Sequence, residues 1–182
     1  MYFDKPGRNN TGQTLKLAFA RGKELGLNEV VVASSGGDTA YAALEIFKGF
    51  KVVVVTTHCG SGKPFESAMP VDVKTDLQKK GAAVVTASHA LSGVERALLK
   101  KHGGVYPVLI IADTLRLFGQ GMKVVVEIAV MASDAGSLSG NDIVSVGGTG
   151  VGADTAVILK PAHQNTIFDM RIREIICKPR KF

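Results

Sequence analysis

The chain has 182 residues, 46% of them hydrophobic and 21% charged. That length fits one domain spanning residues 1–182 with a core of its own, and the composition excludes a disordered chain. The formal net charge of +6 is scattered apart from a cluster at Lys178, Arg180 and Lys181, tryptophan is absent and aromatics are 6%, so a base-stacking nucleic-acid platform is not expected.

In chain order, Asn10 or Thr11 caps a first helix with Leu15, Leu17, Ala18, Ala20 and Leu25 as its core positions, ending at Gly26. NEVVVAS then reads as a buried strand. Asp38 or Thr39 opens a second helix with Ala40, Ala43, Leu44 and Phe47 facing inward, and Gly49 ends it. KVVVVTT is a second strand whose unbroken valines predict burial on both faces.

A Gly- and Pro-containing loop runs from His58 to Pro70, a short helix covers 71–80, and AAVVTAS is the third strand. Residues 91–102 read as helical, and Pro107 starts another helix carrying Leu109, Ile110, Leu115 and Leu117. MKVVVEIAVMASDAG holds a run of valines that suits a strand. Its length and the repeat Val124, Ile128, Met131, Ala135 favour a helix. DIVSVGG and DTAVILK are further strands joined too tightly for a helical crossover, and residues 171–178 add an extended piece. Alternating strands and helices predict a three-layer α/β domain. Its sheet is mostly parallel, with helices on both faces and an antiparallel edge strand.

Parallel strands deliver their C-terminal ends to one edge of the sheet, where ligands bind. Those ends read ASSGGDT, TTHCG, ASHALSG and GGTGVGADT. Glycine lets a backbone approach an anion closely, and N–H groups at a helix start point toward it. Tight turns use the same residues, so one such loop alone carries little; several at one edge suit a phosphate or carboxylate.

GTGVGA at 148–153 matches a dinucleotide fingerprint only formally, because DTAVILK leaves no room for the helix that must follow. THCGSGKP fails as a phosphate loop, with Thr57 and Pro64 at its first and last required positions. His58 and His89, each at a strand end, are candidate acid/base or anion-binding groups. Cys59 and Cys177 lie far apart, and no Cys/His or carboxylate spacing predicts a disulfide or a metal site. MYFDKPGRNN has no signal-type apolar core, and no run reaches the ~18 apolar residues of a membrane span. A cytoplasmic protein without membrane or nucleic-acid partners is expected.

The strand ends VVASSGGDTA and VVVVTTHCG, the segment GGVYPVLI and the stretch EIAVMASDAGSLSGNDIVSVGGTGVGADTAVIL together resemble the C-terminal domain of pyruvate kinase, in its stand-alone form, over most of residues 28–160. The resemblance implies five main strands with helices on both faces. It implies Ser34, Ser35, Gly36, Gly37, Asp38 and Thr39 as a phosphate cradle, with Thr56, Thr57, His58, Ser88 and His89 beside it. Gly147, Gly148, Thr149, Gly150 and Gly152 line the remainder. The catalytic barrel has no counterpart here, so no kinase activity is implied, and GGTGVGADT lacks the large aromatic and basic residues of the kinase effector loop.

The expected function is binding of a phosphorylated small molecule such as flavin mononucleotide (FMN) or a sugar phosphate. Two other readings stand beside it. One is an enzyme acting on a phosphorylated metabolite with His58 or His89 as acid/base. The other is an interaction module without a ligand. A homodimer is a further expectation, from the apolar late helices.

Overall fold

The computed structural model describes residues 1–182 and builds one seven-stranded sheet with helices on both faces. At the middle of its parallel part lie β2 (Glu29–Ala33) and β3 (Lys51–Thr56), flanked by β4 (Ala83–Thr86) and β5 (Ile143–Gly147). All four run parallel, in the order β5-β2-β3-β4.

The valine runs explain their central place. Successive side chains on a strand point to opposite faces. Val30, Val32, Val52 and Val54 join one apolar cluster with helices α1 (Thr11–Glu24) and α2 (Asp38–Ile46) and with Leu77 of α3 (Val71–Lys79). Val31, Val53 and Val55 join the other with Ala112 of α5 (Pro107–Arg116) and the length of α6 (Gln120–Asp134). The segment read as strand or helix is thus a helix. Its Ile128 and Met131 are buried and Val124 is half-buried. Helix α4 (Gly93–His102) buries no residue.

Three details differ from expectation. Strand β6 (Thr155–Lys160) does turn back antiparallel to β5, but it is not at the edge. A nine-residue β7 (Arg171–Pro179) pairs antiparallel along it, and β1 (Tyr2–Phe3) pairs parallel with the end of β7. The five main strands therefore grow to seven, and β6 is the one reversed strand. The extra strands cover backbone donors and acceptors that β6 would otherwise leave open.

In α1, Leu15 and Ala18 are buried, whereas Ala20 and Leu25 are exposed. The inward face is completed by Gly22, where a Cβ would lie 2.8 Å from a Val144 methyl, and by Phe19, which packs on Phe47 and Phe50. In α5, Ile110 and Leu117 just beyond it face outward. No helix is long and apolar enough to cross a membrane.

Strand order reverses between β2 and β5. From β2 the chain proceeds to β3 and β4 on one side, then returns to β5 on the other. A crevice outside the C-terminal ends of the strands forms at such a point.

Candidate functional site

A cleft of about 550 Å³ occupies that crevice. The loop after β2 forms one wall. Ser34, Ser35, Gly36, Asp38 and Thr39 all line it. The Ser34 hydroxyl accepts from the main-chain N–H of Gly37 (3.2 Å) and Ala40 (3.3 Å), which closes the turn into α2. Gly37 itself is left-handed at φ 111° and faces away from the cleft, its missing Cβ aimed at Val73. The turn leaves the N–H groups of Ser35, Gly36, Asp38 and Thr39 without a protein acceptor. Unpaired donors at a helix N-terminus, beside the positive end of its dipole, have the chemistry to accept an anion.

The loop after β3 contributes Thr56 and Thr57. The Thr56 hydroxyl donates to the Ser35 carbonyl (3.2 Å) and fixes the first loop against the second. His58 does not line the cleft. Its Nδ1 donates to the Cys59 carbonyl (2.7 Å), and its ring meets that of His89 edge-on, with centroids 5.2 Å apart. Ser88 is exposed and lies outside the cleft, whereas His89 lines it.

The opposite wall is the hairpin between β5 and β6. Gly148, Gly150, Val151 and Gly152 line the cleft. A Cβ on Gly148 would sit 2.5 Å from the Gly152 carbonyl oxygen, so the turn closes only without one. Gly147 lies lower, packed in β5 against Val124. Thr149 is drawn inward, its N–H donating to Asp154 Oδ2 (3.1 Å). Strand β6, not a helix, follows these glycines directly, in keeping with the rejection of a dinucleotide fingerprint.

Helix α6 forms the floor. Gln120, Val124, Glu127, Ile128 and Met131 recur at helical spacing beneath the loops. Glu127 is 3% exposed. One carboxylate oxygen accepts from the Leu91 N–H (3.0 Å). The other lies 3.3 Å from His89 Nδ1 and also accepts from the Lys123 ammonium. Burial by itself pushes this carboxyl up, but the hydrogen bond from His89 and the charge and hydrogen bond of Lys123 outweigh it and hold the group at about 2. Burial lowers Lys123 despite that neighbour, so the carboxylate, with several donors, is the charge the site holds most firmly. A carboxylate facing Nδ1 assigns a ring proton to that nitrogen and turns Nε2 away from Glu127. Nε2 is buried and has no hydrogen-bond partner.

The sequence reading missed Glu127, Gln120 and two residues of the N-terminal segment. Arg8 and Thr11 line the cleft from a 3₁₀ turn (Arg8–Asn10) and the start of α1. Glu127 carried a signal, because a carboxylate inside the apolar run VVVEIAVMA must find a buried partner. Lys123, one helical turn earlier, is that partner.

Fold and cleft together define an α/β domain with a ligand-sized crevice at the switch point of a mostly parallel sheet. The family model described as the pyruvate kinase, alpha/beta domain matches residues 13–159, and the chain belongs to that family. Strands β1 and β7 and the 3₁₀ turn that carries Arg8 lie outside the matched residues.

Proposed function

We propose that the protein binds a phosphorylated small molecule in this cleft, with FMN and sugar phosphates as the ligands to test first. The observation that carries the reading is the set of unpaired N–H groups at Ser35, Gly36, Asp38 and Thr39. Backbone donors of this kind suit a phosphate, and their desolvation costs little only when an anion or water takes them. The cleft volume falls in the ~300–1,000 Å³ range of small-molecule sites.

FMN fits the residues present. The cradle would take its phosphate, and Val55, Val124, Ile128 and Met131 offer an apolar surface to its ring. A bound flavin would supply electron or hydride transfer. The first test is the absorbance spectrum of the purified protein, with mass spectrometry of what it releases on denaturation. Release of a phosphorylated compound supports the reading; repeated preparations with none, and no uptake of FMN or sugar phosphates, would favour an inert interaction module.

One observation favours a second reading, an enzyme acting on a phosphorylated metabolite. The Glu127 carboxylate orients His89, a geometry that suits a general acid/base. His58 is the weaker candidate, since its Nδ1 is bonded to the neighbouring main chain. Turnover of any phosphorylated metabolite that drops by ~10²-fold in His89→Gln would establish this reading.

A homodimer is part of the proposal, supported by exposed Leu98, Leu99, Ile110, Leu117 and Phe118 on and beside α4 and α5. Helix α6, the most deeply buried late helix, is committed to the core. Light scattering that gave a monomer mass would remove the dimer. Cytoplasmic residence also belongs to the proposal; the free, exposed thiol of Cys59 suits a reducing compartment.

A further inference from the structure

We infer that Arg8, from outside the family-matched residues, is the cationic clamp of the cleft and exchanges its Asp38 partner for the anionic group of the ligand. The inference rests on the phosphate-binding reading above and adds to it the residue that discriminates charge.

The cradle at α2 has donors but a charge problem. Asp38 stands at the first helical position, beside the unpaired N–H groups, and its carboxylate would repel an arriving anion. Arg8 Nη2 neutralises it at 2.5 Å. Among the residues lining the cleft, Arg8 is the one arginine or lysine. Lys123 is close by, but it is buried and committed to Glu127. No other side chain of the lining can bring a permanent positive charge to an anion.

The Arg8–Asp38 pair is easily parted. The two side chains are 65% and 78% exposed, and exposed ion pairs contribute little to stability. Nor does the N-terminal segment need that pair to stay in place. Gly7 N–H donates to Asp154 Oδ2 (2.9 Å), and the Thr11 hydroxyl accepts from the Ala153 N–H (3.0 Å). Gly152 approaches so closely that a Cβ there would lie 2.7 Å from Arg8 Cα. Phe3 is buried in the core, and Arg180 N–H donates to its carbonyl across the β1–β7 pairing. The backbone at Arg8 is thus pinned while its guanidinium stays free to turn. A planar guanidinium also matches the oxygens of a phosphate in pairs, which an ammonium does not.

The experiment titrates the full chain with inorganic phosphate and with FMN, using riboflavin as the uncharged control, for wild type, Arg8→Gln, Arg8→Lys and Asp38→Asn. Arg8→Gln should weaken both anionic probes by about tenfold, with an unchanged melting temperature and unchanged riboflavin affinity. Arg8→Lys should recover part of the loss. Asp38→Asn should tighten both anionic probes, and less so when combined with Arg8→Gln, because the competitor for the guanidinium is then already irrelevant. If wild type binds FMN or phosphate and Arg8→Gln binds them equally well, the clamp is overturned while the cradle stands. If wild type binds neither, the phosphate reading fails and the clamp with it.

Discussion

Nδ1 of His89 lies 3.3 Å from a Glu127 carboxylate oxygen, and the same oxygen accepts from the Lys123 ammonium. The loop after β4 is thereby tied to the middle of α6, directly under the cleft. The pairing accounts for two charged residues in the most deeply buried helix of the chain, and it gives the histidine a fixed orientation.

Removing the negative member should be costly. Glu127→Gln leaves the Lys123 ammonium buried without its counter-charge, and breaking one side of a buried pair costs about 3–5 kcal/mol. Combining it with Lys123→Met should recover much of the loss, because no unpaired charge then remains. Urea unfolding of the single and double variants measures both. A single variant as stable as wild type would show that the pair is not the buried contact described here.

The same carboxylate sets an acid limit. Glu127 is held at about 2, below the ordinary 4.5. A carboxyl held down in the folded state contributes stability that is complete above its ordinary value and lost as pH falls through the folded one. Between about pH 5 and pH 3, the wild-type unfolding midpoint should therefore fall more steeply than that of Glu127→Gln. Parallel profiles would contradict the assigned direction.

Asp154 is the second buried carboxylate whose loss should be visible. It accepts from the N–H of Gly7 and of Thr149 and from the Thr155 hydroxyl, joining the N-terminal segment to the wall of the cleft. Asp154→Ala should cost about 3 kcal/mol, the upper value for one charge-assisted hydrogen bond. Hydrogen exchange should quicken at the Gly7 and Thr149 amides and in the hairpin between them and β6, well before β2 or β3 is affected. Equal protection in variant and wild type would separate the two segments.

Much of the frame was legible in the sequence because its signals are local. The valine runs at 30–32 and 52–55 name the central strands, and Ile128 with Met131 turns an ambiguous valine stretch into a helix. The small polar loops after β2 and β5 are likewise local, and most of their residues line the cleft, whereas the loop after β3 contributes Thr57. What joins distant segments was not legible. Nothing near His89 in sequence announces Glu127, and nothing near Asp38 announces Arg8. The place of β6 inside the sheet depends on β7, whose pairing partner follows from register and not from its own pattern. Gly37 reads as a cradle residue by position, but its backbone serves the turn and its side faces Val73.

The central claim is that the turn at Ser35–Thr39 holds a phosphate, and calorimetry with matched ligands tests it most directly. FMN is compared with riboflavin, and a sugar phosphate with its free sugar, on wild type and on Gly36→Asp. A Cβ at Gly36 meets no atom within 4 Å, so the substitution leaves the fold room while placing a carboxylate beside the unpaired N–H groups. The account predicts that wild type prefers a phosphorylated ligand over its dephosphorylated form by about tenfold or more, and that Gly36→Asp abolishes the preference. Equal affinity for the members of each pair, or a preference untouched by Gly36→Asp, would contradict it.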